Sequence, residues 1–584
     1  MKDVKVKNIF LFCLPFIASA AMLTVIQAPI NLSPLAWVAL VPFILACRPT
    51  AKLKYLAVAA YLISLCYWLG NLYWIFPVTV VGWAAFCLYT AVHWPILALC
   101  LRYCRTKKIP LFPAAGVLFV GAERLQGLFL GGFFWRFLAH SQYANITLIQ
   151  IADIFGAAGV SFLIAMVNGL LAELIIAARE KNIFKISNFL KTAVVGVAVV
   201  AAVVYGRWRI SQEDEFVETG PLVASLQSNV PQSVKREALR GTGKAAAQTS
   251  KEIFDELMQQ SKAGAEAGAE LIVWPETMVQ ATLDARVLAL LDSSHSFKIY
   301  DKALREHSKN TAFVLVGAYG GTPEVRDDLS IHLTEKYNTA FLYRPDGQQS
   351  DKKYSKIHLV LFGEVLPFRK TFPLLFKLVM KFNPYNYDHS LDAGSEYTVF
   401  EMTKGRGLEA KDYKFSVIIC YEATMPTIVR RFALDRQGRK QIDWLVNISN
   451  DGWFVRFKDG KTFPSTELPQ HAAICVFRAV ENRLAVLRSV NTGISCLIDT
   501  LGRVKNDPLA GTLPTQAMAR KGMAGWFLDE MPIDKRTTFF SKYGQWLDFC
   551  CALCLVLLII VSLSARFIRN KKYVISFRQR QNEK

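Results

Sequence analysis

The chain has 584 residues, 52% of them hydrophobic, and carries 68 lysines and arginines against 47 aspartates and glutamates, a formal net charge of +21. A mean hydropathy of +0.25, with apolar runs concentrated at both ends, excludes an ordinary soluble enzyme. The basic residues sit in short clusters between apolar segments rather than on a face interleaved with aromatics, which excludes nucleic-acid binding and fits membrane topology.

Taken in order, eight segments read as membrane-spanning helices: about 9–28, 34–47, 55–78, 81–101, 111–130, 157–178, 192–206 and 545–565. The second and seventh are short for a bilayer that takes about 20 apolar residues to cross. Lys2, Lys5 and Lys7 ahead of an apolar run containing Ala18-Ser-Ala20 also fit a signal peptide. Because the run continues to Ala28, it is expected to remain as a helix. Basic clusters at the N-terminus, at Arg48–Lys54, Arg102–Lys108 and Arg179–Lys191, and after residue 565 alternate with connections that are nearly free of them. That alternation predicts cytoplasmic termini and an extracytoplasmic stretch 207–544. Near the end of the fifth segment, Glu123 and Arg124 are expected to pair or to face a cavity, since charge at membrane depth is costly.

The composition changes at about residue 220. Leu222–Asn229 reads as a strand, 243–268 as a helix, and Leu271-Ile-Val-Trp274-Pro275-Glu276 as an apolar strand ending in a carboxylate. Further strands are expected at Phe313–Tyr319, Thr339–Tyr343, 415–423, 443–449 and 484–490, an alternation that argues for a layered α/β domain. The expected units are a membrane bundle over 1–210, a catalytic domain over 220–518, a last helix at 545–565 and a basic tail at 566–584. Between Lys356 and Cys420 lies an aromatic stretch, Phe362, Phe368, Phe372, Phe376, Phe382, Tyr385 and Tyr387 with Leu374, Leu375 and Val379. It is either buried core or a lid that touches lipid, and the lid is preferred.

Three chemistry-bearing residues adjoin apolar runs: Glu276, Lys356 ahead of Ile-His-Leu-Val-Leu-Phe, and Cys420 at the tip of Phe415-Ser-Val-Ile-Ile. Far apart in sequence, they predict one site assembled at a sheet edge. A free thiol has a pKa near 8.5, so a neighbouring base is needed to make it a nucleophile. A buried Glu276 suits that role, and Lys356 supplies positive charge for an oxyanion. Of the 12 cysteines only Cys420, Cys475 and Cys496 lie outside the membrane segments, so no disulfide framework is expected. Cys551 and Cys554 fall inside an apolar helix, where they read as small hydrophobes. The scattered histidines predict no metal, and no glycine-rich loop follows the first strand to hold a dinucleotide.

Trp274-Pro-Glu276, Lys356 with His-Leu-Val and Phe362-Gly-Glu364, and Cys420-Tyr421-Glu422 together resemble the Glu-Lys-Cys site of the nitrilase superfamily. The flanking motifs are similar to its membrane branch, the bacterial apolipoprotein N-acyltransferases. They include Gly131–Trp135 through Gly156, Asn447–Phe454, Gln470-His471, Arg478–Arg483 and Leu487–Gly493. The likeness extends from near residue 10 to about residue 505. It implies a polytopic bundle of about eight helices joined to an extracytoplasmic αββα sandwich in a bacterial inner membrane. It also implies Glu276 as general base and acid, Lys356 as oxyanion stabiliser and Cys420 as a nucleophile that forms a thioester. Trp274, Glu364, Tyr421 and Glu422 are the implied supporting residues, Glu364 before Glu422. The implied acyl donor is a phospholipid and the acceptor the α-amino group of a diacylglyceryl-cysteine, with no cofactor. Phe134 and Leu361 stand where the family has proline, and 455–468 is longer than expected, which bears on loop geometry and substrate preference. Two other functions remain open: a membrane-tethered amidohydrolase with water as acceptor, and a non-catalytic transporter or scaffold. The first would not need an apolar lid, and the second would be expected to show internal repeats.

Overall fold

The computed structural model describes residues 2–128, 131–232, 234–235, 244–328, 330–366, 371–381, 390–405, 410–459 and 461–582. Five helices among them are long and apolar enough to cross a membrane: Leu53–Asn71, Val80–Thr106 (with a turn after Thr90), Ala157–Arg179, Ile186–Ser211 and Trp546–Ala565. The seventh predicted segment is thus longer than its apolar stretch, 26 residues once its flanking basic residues are included. The helix Leu111–Gln126 has 16 residues.

The second predicted span is not one continuous helix. Residues 34–47 form a 3₁₀ turn, Ser33–Trp37, and a six-residue helix, Val41–Ala46, each opened by a proline, Pro34 or Pro42. Proline starts a helix well but removes a backbone donor and disfavours helical geometry in the residue before it. The backbone groups released by the break need protein partners at membrane depth. Asn168, from helix Ala157–Arg179, supplies two: its Oδ1 accepts Leu40 N at 2.8 Å, and its Nδ2 donates to Ala36 O at 2.9 Å. Ser19 Oγ accepts Phe43 N at 3.0 Å. Glu123 and Arg124 also part company. Side chains one residue apart on a helix diverge, and Arg124 faces Asp548 at 3.7 Å while Glu123 accepts Leu138 N at 2.7 Å.

The remainder is built on two large sheets. The first has the order β13-β14-β1-β2-β3-β4-β5 and the second β12-β11-β8-β7-β6. Their strands are β1 (Val217–Gln227), β2 (Leu271–Val273), β3 (Phe313–Val325), β4 (Ile331–Tyr343), β5 (Gln349–Ser355), β6 (Phe400–Lys404), β7 (Lys411–Ile419), β8 (Trp444–Ser449), β11 (Ala485–Val490), β12 (Cys496–Ile498), β13 (Ala510–Gly511) and β14 (Gly525–Asp534). A separate hairpin of β9 (Arg456–Lys458) and β10 (Lys461–Phe463) occupies the long 455–468 loop. Parallel β1-β2-β3 and β7-β8-β11 form the two centres. Their side chains alternate with the two-residue period of a strand. Val223, Leu271, Val273 and Leu315 pack inward against Val417, Val446 and Leu487. Ala224, Ile272, Trp274 and Val314 point the other way, onto helices Lys244–Glu266 and Ser296–Ser308 through Phe254, Leu257, Tyr300 and Leu304. Helices Pro426–Ala433 and Glu467–Asn482 cover the second sheet. The result is a four-layer αββα sandwich. Strand β14 was not anticipated, and it pairs antiparallel with β1 from Val217↔Asp534 to Gln227↔Gly525.

The bundle meets the sandwich through buried charge. Asp153 accepts from Arg209 Nε at 2.7 Å, Tyr205 OH at 2.8 Å and Arg483 Nη2 at 2.6 Å. Glu481 Oε1 accepts Ala157 N at 2.9 Å. Each carboxylate in these contacts is buried and would be costly unpaired.

Candidate active site

Glu276 follows β2, Lys356 follows β5 and Cys420 follows β7, so three strand ends deliver the three groups to one crevice. Lys356 Nζ lies 3.4 Å from Glu276 Oε1 and donates to Glu364 at 2.8 Å. The other Glu276 oxygen accepts Asn450 N at 2.6 Å, and Asn338 Nδ2 donates to Glu276 at 2.7 Å and to Glu364 at 3.1 Å. The two carboxylates thus share a lysine and an amide, which fixes their orientation without neutralising either one fully. The turn carrying Glu276 lies so close to β3 that a Cβ on Gly317 would sit 2.6 Å from Pro275 O. Only glycine fits there.

Cys420 has φ +54°, a left-handed conformation that a residue with a side chain rarely adopts. Such strain, about 1–3 kcal/mol, persists only where surrounding contacts fix the backbone. Glu422 provides them. Its carboxylate accepts Ile419 N at 2.7 Å just before the turn, Ile357 N at 2.7 Å and His358 N at 3.0 Å just after Lys356, and both oxygens accept Tyr354 OH at 2.9 Å. One fully buried side chain therefore ties the cysteine turn to the lysine turn. Burial raises the Glu422 carboxyl pKa, and the backbone donors work against that rise.

Electrostatics set the resting state. Burial, and then the Glu276 charge, push the Cys420 thiol well above its ordinary range, with Lys356 opposing them. Burial alone would lower the Lys356 ammonium pKa, but Glu364, Glu276 and Cys420 more than offset this and hold it charged. A neutral thiol beside a fixed cation and a carboxylate is suited to losing its proton as it attacks, and to stabilising an oxyanion once formed.

The supporting residues divide. Glu364 holds Lys356 and also accepts Val360 N at 2.9 Å, within the loop that the apolar run after Lys356 forms. Tyr421 stacks on Trp135 and His358, with ring planes 7° and 23° apart. Trp274 points away from the crevice, onto Phe254, and its indole donates to Ser261 Oγ at 3.1 Å. It braces β2 from the helical side. In the aromatic stretch, Phe362, Phe372 and Leu374 are exposed, the last two at the start of helix Pro373–Lys381. Phe368, Phe382, Tyr385 and Tyr387 lie outside the described residues.

Asn338, Asn450 and Lys235 reach the site without having been singled out for it. Lys235 is buried, and its Nζ donates to the Thr277 hydroxyl beside Glu276. Burial draws its pKa from 10.5 to about 7, with Glu276 opposing. A lysine in a polar stretch carries no sequence signal for this. Among the described residues one trio, Asp451, Glu467 and His471, brings potential metal ligands within 4.8 Å. Arg488 Nη2 lies 3.9 Å from Asp451 there. Although burial and Arg488 oppose it, the two carboxylates lift His471 to about 10. His471 Nδ1 lies 3.3 Å from Glu467 and 3.8 Å from Asp451.

The chain matches known proteins along most of its length. Residues 19–170 match the family described as apolipoprotein N-acyltransferase N-terminal domain, and residues 222–516, half of the chain, match carbon-nitrogen hydrolase. A Geobacter metallireducens protein named apolipoprotein N-acyltransferase is 29% identical over 89% of this chain and 89% of its own length. A Treponema denticola protein, apolipoprotein N-acyltransferase 1, is 24% identical over 92% and 93%. Among solved structures, a Nesterenkonia amidase of the nitrilase superfamily is 14% identical, covers 56% of this chain and 93% of its own, and has a TM-score of 0.33. The matched domains, together with the membrane helices ahead of them, show that the chain belongs to the carbon-nitrogen hydrolase family, in a membrane form that carries the apolipoprotein N-acyltransferase N-terminal domain.

Proposed function

We propose that the protein is an apolipoprotein N-acyltransferase, moving an acyl chain from a membrane phospholipid to the α-amino group of a lipoprotein's N-terminal diacylglyceryl-cysteine. One observation carries the reading. A cysteine on a strained turn, a carboxylate and a lysine converge in a crevice bordered by Gly131, Gly132 and Trp135 of the membrane part. Tyr421 OH donates to Gly132 O at 2.7 Å, and Gly131 lies against Leu361 of the lysine loop. A hydrolase of small soluble amides has no need of such a wall.

In the first half-reaction Cys420 Sγ attacks the ester carbonyl while its proton passes to Glu276. The oxyanion rests against Lys356 Nζ and the backbone N–H of Tyr421. Collapse breaks the C–O bond, and Glu276 returns the proton to the departing lysophospholipid alkoxide. In the second half-reaction the α-amine attacks the thioester. With a pKa near 7.7–8.0 it is substantially neutral at working pH. Glu276 takes the amine's proton, the C–S bond breaks, and the thiolate is reprotonated. The exposed helix Pro373–Lys381 acts as the lid toward lipid. The catalytic domain faces the periplasm of a bacterial inner membrane, and both termini are cytoplasmic.

The deciding experiment supplies purified enzyme with phospholipid alone. A hydroxylamine-labile acyl mass on Cys420 is expected, followed by the N-acyl product when diacylglyceryl peptide is added. Acyl mass on Cys475 or Cys496 instead, or release of free fatty acid only, overturns the reading. For orientation, a cysteine placed at Gln212 is expected to react with an impermeant thiol reagent from outside and one at Asn582 is not. The reverse pattern would refute the topology.

A further inference from the structure

Apart from the crevice, the bundle contains a cavity of about 520 Å³ between helices Lys2–Val25 and Leu53–Asn71, closed at one end by Arg136 and Gln470. None of Glu276, Lys356 and Cys420 lines it. Small side chains make the space. Ala20 and Ala21 form one wall, and on the other a Cβ added to Gly70 would meet nothing within 4 Å. Exposed Ile17 and Ile30 at its border open it sideways, toward where lipid lies around the bundle.

Its closed end carries an unanswered charge. Arg136 Nε donates to Tyr67 OH at 3.0 Å and Nη2 to Leu23 O at 3.0 Å, and the guanidinium lies 5.3 Å above the Tyr67 ring. These contacts hold the group in place but do not neutralise it. Among the described residues no carboxylate lies within ion-pair distance of Arg136, and its Nη1 has no hydrogen-bond partner. A cation at the membrane end of an apolar groove is costly unless an anion meets it. Guanidinium is well matched to phosphate, through paired N–H donors.

We propose that this groove binds one glycerophospholipid, its phosphate on Arg136 and its acyl chains along Ala20, Ala21, Ile63 and Gly70, as a site separate from the acyl donor's crevice. An amine-bearing lipopeptide would be repelled by the same cation. The groove shares a wall with the crevice. Gln470 Nε2 donates to Ala28 O at 2.9 Å on the groove side, and its Oε1 accepts Trp135 Nε1 at 2.7 Å, Trp135 being the ring that stacks on Tyr421. A lipid seated there would brace Trp135 without being consumed. The proposal does not depend on the acyl-transfer reading.

The test uses the full chain carrying Cys420→Ala, so that no lipid is turned over. Protein in detergent is mixed with phosphatidylglycerol or with diacylglycerol of the same chains, and retained lipid is counted by native mass spectrometry. One phosphatidylglycerol more should be retained than by the same chain carrying Gly70→Leu, with diacylglycerol held in that extra place at least about tenfold more weakly, as expected for loss of a charge-assisted contact. Arg136→Gln should remove that preference and Arg136→Lys restore part of it. Gly70→Leu fills the groove and should remove that one lipid at unchanged Tm, which keeps the test decisive if Arg136 variants fail to fold. Inorganic phosphate should not displace the lipid. Equal retention of diacylglycerol, wild-type retention by Gly70→Leu, or displacement by phosphate alone would each overturn the proposal.

Discussion

The phenol of Tyr421 donates a 2.7 Å hydrogen bond to the backbone carbonyl of Gly132. The residue that follows Cys420 is thereby fastened to the connection between helices Leu111–Gln126 and Ala157–Arg179. Gly132 has φ +82°, and a Cβ there would lie 2.8 Å from Gly127 O, so the carbonyl is aimed by a backbone that only glycine adopts easily. The Cys420 turn and the membrane scaffold thus meet at one side chain.

Tyr421→Phe removes this bond, worth about 0.5–1.5 kcal/mol, but keeps the ring between Trp135 and His358. Thioester formation should fall only a few-fold. Tyr421→Ala loses the stack as well and should fall by at least another factor of about ten, since aromatic pairs add about 0.5–1.5 kcal/mol each. Single-turnover acylation of Cys420 separates the two variants. Equal rates would show that the stack contributes nothing.

Glu276→Gln and Lys356→Ala should fail in different ways. The first leaves the thiol without a proton acceptor and should block thioester formation. The second loses one oxyanion contact, typically about 10²–10³ in rate, and leaves Glu276 and Glu364 facing each other without their shared cation, so Tm should fall too. Near-wild-type acylation in both would rule out the three-residue site.

Lys235 makes stability depend on pH. Its pKa is lowered from 10.5 in the unfolded chain to about 7 in the fold. Between those values the unfolded chain binds the extra proton, so the group makes stability rise with pH from about 7 to 10.5. Below pH 7 both states are protonated and the full cost of the buried charge applies. Lys235→Met should therefore gain most in Tm over wild type at low pH, and the gap should close toward alkaline pH. A gap that is constant with pH would mean that Lys235 is not the titrating group.

Phe372 is 62% exposed and Leu374 84%, unusual for large apolar side chains beside a crevice. Replacing Phe372 and Phe376 by serine should weaken turnover of bilayer phospholipid by about 10² or more, given roughly 1.5–3 kcal/mol per aromatic transferred from water to lipid. A short-chain soluble ester should still acylate Cys420, and Tm should hold. Loss of both rates together with Tm is the result a core role predicts, since large-to-small core changes cost about 3–5 kcal/mol each.

The alternating layers and the membrane character were legible in the sequence, and so was the candidate trio of Glu276, Lys356 and Cys420 as a proposal. Period-two strands and long apolar runs are local signals, and three motifs in a fixed order carry the family likeness. Several decisions were made only in three dimensions. Residues 34–47 are apolar enough for a helix, yet Pro34 and Pro42 break them, and Asn168, more than a hundred residues away, accepts from one freed backbone group and donates to another. Glu123 and Arg124 are neighbours in sequence and have different partners in space. Glu422 looked like a minor carboxylate, but hydrogen bonds from Tyr354, Ile357 and His358 on one segment and Ile419 on another make it the tie between the cysteine and lysine turns. Asn338 and Lys235 joined the site through the packing of β4 and of the segment after β1 around Glu276. A single chain announces which groups can do chemistry, because their types are few. Which backbone donors, cations and amides hold them in place depends on distant segments meeting, and that is decided by tertiary packing alone.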